Sequence, residues 1–180
     1  MLEQGHTIGT HTWSHANLAG LSTASARYQI ERAFTAVNQV LDGAVAPFFR
    51  FPYLADSRRV REYLATRNIA VFDIDVDSFD YRARSTDLVL QNVMSGLAKT
   101  GGGIILFHDI HAVTAKALPE VLAALKAKNF KVVHLVAKTP IQPVALVETS
   151  SISDPQAKSL TPRRMSQRRK AGEDKPWSPF

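Results

Sequence analysis

The stretch Gly101-Gly102-Gly103-Ile104-Ile105-Leu106-Phe107-His108 sets the architecture of this 180-residue chain. Three glycines interrupt whatever precedes them. The apolar run Ile104–Phe107 then reads as a buried strand, covered on both faces. Upstream, Asp87–Lys99 carries Leu90, Val93, Met94 and Leu97 on one helical face. Downstream, Thr114–Lys128 carries Leu118, Val121, Leu122 and Leu125 in the same way. A buried strand between helices of similar length describes βα units, and hence a mostly parallel sheet or barrel. In such folds functional residues gather where strands end, and this strand ends on His108.

Farther out the alternation continues. Ser22–Gly43 reads as a helix, with Tyr28, Ile30, Phe34, Val37 and Leu41 at three- and four-residue steps, Ser22 as cap and Gly43 as stop. Ser57–Arg67 reads as a second helix with Val60 and Leu64 inward. Ile69–Val76 alternates apolar and acidic residues and reads as a strand, and Lys131–Val136 as a last one. Beyond Thr139, six prolines among many Ser, Lys and Arg residues read as a disordered tail. The expected division is therefore a domain at 1–138 and a tail at 139–180.

Composition excludes several classes. Hydrophobic content of 45% and charged content of 21% fit a globular domain. No apolar run reaches the roughly 20 residues that span a bilayer, and no signal peptide is read at the N-terminus. With no Cys, disulfides and thiolate ligands are excluded. The net charge of +6 is mostly local: Lys158–Lys175 holds seven basic and two acidic residues. The rest, with 15 basic and 14 acidic, is near neutral, so no nucleic-acid partner is expected.

Four segments could carry chemistry. In His11-Thr12-Trp13-Ser14-His15, a helical turn starting at His11 would put both imidazoles on one face for a metal; two solvated His are the plainer reading. In Phe49-Arg50-Phe51-Pro52-Tyr53, Arg50 is either a surface charge or a guanidinium aimed into a cleft to orient a carboxylate, with Tyr53 on the wall. Among Asp73, Asp75, Asp77 and Asp80, the first two are expected in solvent. Asp77 and Asp80 lie at or past the strand end, with Phe79 and Tyr81 beside Asp80. His108 is a core imidazole or a catalytic one tuned by a carboxylate. His6, His111 and His134 fit no spacing and read as structural.

These segments follow the order of one family. From about Gly5 to Val136 the chain resembles the polysaccharide deacetylases of the NodB-homology type, carbohydrate esterase family 4. His11–His15 matches the family's H-[ST]-x-x-H, whose two His bind a metal, usually zinc. Arg50-Phe51-Pro52-Tyr53 matches R-x-P-[YF]. Asp77-Ser78-Phe79-Asp80-Tyr81 resembles D-S-x-D-W with Tyr for Trp, and Leu106-Phe107-His108 matches L-x-H.

The resemblance implies a NodB-type irregular (β/α) barrel and metal-dependent removal of N-acetyl or O-acetyl groups from a polysaccharide or amino-sugar oligomer. It implies His11 and His15 as ligands of a divalent metal, most often zinc, and His108 as general acid tuned by Asp80. Arg50 would pair with the catalytic base, and Tyr53, Tyr81 and Leu106 would line the substrate groove. Members mostly act outside the cytoplasm. One motif departs: T-F-D-D, which supplies the base and the third metal ligand, occurs nowhere in the sequence. The expectation is an incomplete barrel lacking its first strand and helix. It is either part of a longer enzyme or an inactive, carbohydrate-binding remnant.

Overall fold

The computed structural model describes residues 1–139 and 141. The helices follow from local signals. Helix α1, Thr23–Val40, begins where the Ser22 side chain accepts the Ser25 N–H at 3.1 Å, which satisfies an otherwise orphaned first-turn donor. Helix α2 spans Arg58–Thr66 and α3 spans Thr86–Thr100, with Ser85 accepting from the Leu88 N–H. Gly101, at φ 76, then ends α3 in the left-handed conformation that a residue without Cβ adopts freely. Helix α4 spans Ala112–Ala127. Each helix lies within two residues of its expected bounds, apart from three at the α1 C-terminus.

Among the described residues, four short strands complete the frame: β1, Phe48–Phe49; β2, Ala70–Val71; β3, Val76–Asp77; and β4, Ile105–Leu106. Strand β1 pairs in parallel with β2, and β3 in parallel with β4. Thr10 adds a parallel bridge to Phe49, so the N-terminal segment lies beside β1. Parallel pairing with helical crossovers is what the βα pattern requires.

Two expected strands are corrected. Ile69–Val76 is not one strand: β2 and β3 belong to different sheets, and Phe72–Asp75 runs between them. Asp75 is exposed, as expected, and also accepts the Ile104 N–H at 2.7 Å. That bond leads the chain out of the glycine turn, and a Cβ at Gly103, φ 126, would collide with the same carboxylate. Lys131–Val136 forms no strand; Val132, Val133 and Val136 are exposed. Its apolar character is real, but no neighbouring backbone among the described residues supplies a ladder. The expected tail at 139–180 falls, beyond Thr139 and Ile141, outside the described residues.

Two apolar clusters hold the frame. One joins α1 to α2 and β1 through Ile30, Phe34, Phe49, Val60 and Leu64. The other joins α3 to α4 and β3 through Val76, Val93, Leu97, Val121 and Leu125. Ile30 and Leu64 are wholly buried, and burial of each stabilises by about 1.5–3 kcal/mol. Glu31 ties α1 to α2: it accepts from Tyr63 Oη at 2.6 Å and pairs with Arg67 at 3.0 Å. His11 follows the Thr10 bridge, Arg50 follows β1, Asp80 follows β3 and His108 follows β4. All four therefore sit at C-terminal ends of parallel strands.

Candidate active site

Asp80 and His108 form the best-defined unit. The Asp80 side chain is wholly buried. Its Oδ2 accepts the His108 backbone N–H at 2.6 Å and the Thr114 hydroxyl at 2.7 Å; its Oδ1 lies 2.7 Å from His108 Nδ1. Burial alone would raise the carboxyl pKa. The hydrogen bonds from His108 and Thr114 outweigh it and hold the pKa below the usual value of 3.8. An ionised Asp80 can only accept, so His108 Nδ1 carries a proton and Nε2 is free to work. Sequence reasoning missed Thr114. Its signal was a hydroxyl on the inward face of α4, three residues before buried Ala117 and near the strand end.

His11-Thr12-Trp13-Ser14-His15 is not a helical turn, which corrects the expected geometry. Thr12 and His15 have φ of 68° and 56°, and the segment is an irregular loop. The two imidazoles still meet, with ring centroids 4.9 Å apart. Buried Gln29 on α1 holds the loop: its carbonyl accepts the Trp13 N–H at 3.0 Å, and its Oε1 accepts the Ser14 N–H at 2.9 Å and the Ser14 hydroxyl at 3.1 Å. The sequence signal for Gln29 was a polar residue beside the apolar stripe of a helix. Gly9 lets the chain approach β1: a Cβ there would lie 2.5 Å from the Phe48 carbonyl oxygen.

His11 Nδ1 lies 2.7 Å from the Arg50 carbonyl oxygen. A carbonyl only accepts, so Nδ1 is protonated and the Nε2 lone pair is available. Desolvation lowers the His11 pKa, opposed by the Arg50 carbonyl bond; the His15 charge lowers it further. A neutral His11 is the form a metal needs. Tyr53 stands at the rim, exposed, with its ring centroid 4.7 Å from that of His15.

Arg50 carries an unsatisfied polar atom. Its Nε is buried without a hydrogen-bond partner, as are Thr10 Oγ1 and Thr12 Oγ1. Desolvation lowers the Arg50 pKa, and the Asp73 charge partly restores it. Among the described residues no carboxylate forms an ion pair with Arg50. No group of three or more His, Cys, Asp or Glu suited to a metal occurs among them either. A cleft of about 740 Å³ brings His11, His15, Arg50, Leu106 and His108 together. Tyr53 and Tyr81 stand beside it, Tyr81 with its ring 5.7 Å from that of His108. His111, read as structural, lies 5.9 Å ring to ring from His108, and His134 bonds Thr7 Oγ1 at 2.7 Å.

The same chain can now be set beside known proteins. Residues 1–72 match the family Polysaccharide deacetylase. A chitin deacetylase of Pestalotiopsis sp is 36% identical over 129 residues, 70% of this chain and 43% of that protein. A peptidoglycan-N-acetylglucosamine deacetylase of Listeria monocytogenes is 33% identical over 134 residues, 74% of this chain and 28% of that protein. The solved structure of a Bdellovibrio bacteriovorus peptidoglycan deacetylase superposes with a TM-score of 0.70 at 33% identity, covering 77% of this chain and 39% of that one. The chain thus spans less than half the length of each of these relatives. Motif order, sequence similarity and fold agree, and the chain belongs to the polysaccharide deacetylase family.

Proposed function

We propose that this site serves metal-dependent hydrolysis of N-acetyl or O-acetyl groups on a polysaccharide or amino-sugar oligomer. The two sheets would be portions of a NodB-type irregular (β/α) barrel within a domain at 1–138. The Asp80–His108 pair carries the reading. Asp80, ionised and buried, stabilises an imidazolium at His108 and fixes its ring. His108 Nε2 then presents a proton to the amine as the C–N bond breaks. Tyr53, Tyr81 and Leu106 would border the sugar and the acetate methyl.

His11 and His15 fit one side of a divalent metal site, zinc being the first choice: His11 is fixed with Nε2 free, and His15 stands next to it. The metal would supply Lewis acidity toward the acetyl carbonyl and a more acidic water. The described residues offer no third protein ligand and no base beside Arg50. The proposal therefore includes a requirement: a carboxylate-bearing strand must lie against Arg50 before turnover occurs.

The unpartnered Arg50 Nε favours a second reading, a catalytically inactive remnant that still binds carbohydrate. Acetate release from N-acetylglucosamine oligomers with added zinc separates the two. No release from residues 1–180, and release once an N-terminal strand carrying T-F-D-D is joined, is the expected result. Release from residues 1–180 alone would refute the requirement. No release from either protein would refute the deacetylase reading.

A further inference from the structure

The loop that carries the His pair is held in a conformation that its own residues disfavour. Thr12 has φ 68 and His15 has φ 56, a left-handed region that is costliest for a β-branched residue such as Thr12. The Thr12 hydroxyl is also buried with no hydrogen-bond partner among the described residues. The ends of the loop are fixed: the Thr10 N–H donates to the Phe48 carbonyl at 2.8 Å, and Leu18 is wholly buried. The strained middle needs a separate hold.

Helix α1 supplies it. Besides the bonds from Gln29, Tyr28 and Arg32 stand one helical turn apart and build a stack on the loop. The Arg32 guanidinium carbon lies 4.0 Å from the Trp13 ring centroid and 5.5 Å from that of Tyr28, and Arg32 Nη1 donates to Tyr28 Oη. The Tyr28 contacts fix the guanidinium, which then holds the indole by cation–π attraction. Other arginines also lie over rings, but they join parts that are already held. Arg27 over Tyr63 links α1 to α2, which share an apolar cluster, and Arg82 over Phe79 lies three residues from that ring. Arg32 instead ties a helix to an exposed loop residue, and that residue stands between His11 and His15 in the chain. His11 has its own tether in the Arg50 carbonyl, whereas His15 is placed by ring contacts at 4.9 and 4.7 Å and by the loop.

We propose that Arg32 is a positioning residue for the His11–His15 pair: by clamping Trp13 onto α1 it keeps the strained loop closed, so that affinity for a divalent metal depends on a side chain that touches neither metal nor substrate. This rests on the metal-site reading of the two imidazoles. The backbone strain at Thr12 and His15 keeps the closed and released loops close in free energy. The apparent dissociation constant of the metal then rises as the closed fraction falls.

The test measures zinc dissociation constants by titration calorimetry at neutral pH on the protein of residues 1–180, with His11→Ala as the control that assigns binding to this pair. Amide hydrogen exchange is followed in the metal-free protein. Arg32→Met keeps the aliphatic stem and removes the guanidinium. It should weaken zinc binding about threefold, the weight of an exposed cation–π contact, and speed exchange of the Trp13 and Ser14 amides by a similar factor. The Ile30 and Phe34 amides within α1 should exchange as before. Trp13→Leu should have the same effect, the double variant should bind no more weakly than either single one, and Arg32→Lys should retain part of the affinity. Unaltered zinc affinity in Arg32→Met, with or without faster loop exchange, overturns the role of Arg32 and leaves the metal site standing. Weaker zinc binding with faster exchange at Ile30 and Phe34 also overturns it, since that pattern marks a general loss of stability. No zinc binding by the unmodified protein, or binding that survives His11→Ala, overturns the metal reading and the proposal with it.

Discussion

Replacing Asp80 by Asn probes the centre of the site directly. The substitution keeps the shape and removes the charge. The amide oxygen can still accept from the His108 N–H and the Thr114 hydroxyl, which now lie at 2.6 and 2.7 Å from Oδ2. Those two bonds change from charge-assisted to neutral, a loss of about 1 kcal/mol each. The third contact inverts. An amide N–H faces His108 Nδ1, which must then accept, so the proton moves to Nε2. The expected cost is about 2 kcal/mol at neutral pH, a urea midpoint lower by about 1 M for a typical denaturant slope. Nitrogen-15 NMR of His108 would show the tautomer change.

The sign with pH is fixed by linkage. The folded pKa of Asp80 lies below the unfolded value of 3.8. Between those two values the unfolded chain binds a proton that the folded one does not. The stabilisation is complete above the unfolded pKa and is lost as pH falls through the folded one. The gap between the parent protein and Asp80→Asn should therefore narrow on acidification. Equal urea midpoints at neutral pH, or a gap that stays constant into the acid range, would refute the account of Asp80 as a buried, ionised acceptor.

Other substitutions report on separate parts of the chain. Arg50→Met removes a buried Nε that no described group satisfies, and should raise stability by about 1 kcal/mol, read as a melting temperature higher by about 3 °C; a fall would show that Arg50 has a partner in solution. Gln29→Ala strips the acceptor of the Ser14 N–H and hydroxyl; a loss of about 1–2 kcal/mol is expected, with weaker zinc binding by titration calorimetry because the loop that aligns His11 and His15 is released. Gly9→Ala forces a Cβ against the Phe48 carbonyl and should cost about 1–3 kcal/mol in urea denaturation. In an ultraviolet titration one tyrosine should ionise last, near pH 12, because burial and the Glu31 carboxylate raise the Tyr63 pKa to about 12; Glu31→Gln should bring it down.

The helices were legible because each carried its own evidence. Ser22 and Ser85 act as caps, and Ile30, Phe34, Val93 and Leu97 recur at helical spacing; such signals act within one or two turns and owe little to the rest of the chain. Strands were less legible because pairing is not local. Nothing between Ile69 and Val76 announces that β2 joins β1 while β3 joins β4. Lys131–Val136 has the composition of a strand, yet strand formation needs a partner edge. The His11–His15 loop makes the same point for the site. Spacing suggested a helical turn, but two positive φ angles and the Gln29 anchor bring the rings together by another path.

The sequence by itself determined the family, the order of the βα units and the residues worth watching, because motif identity and helical periodicity are written in consecutive positions. Only the tertiary structure decided which of those residues touch. It buried Asp80 beneath His108 and Thr114, fixed the His11 tautomer through the Arg50 carbonyl and left the Arg50 Nε unsatisfied. Those outcomes depend on separations of tens of residues along the chain closing to hydrogen-bond distance. Burial, charge and proton position are set there, where strand ends from different βα units converge.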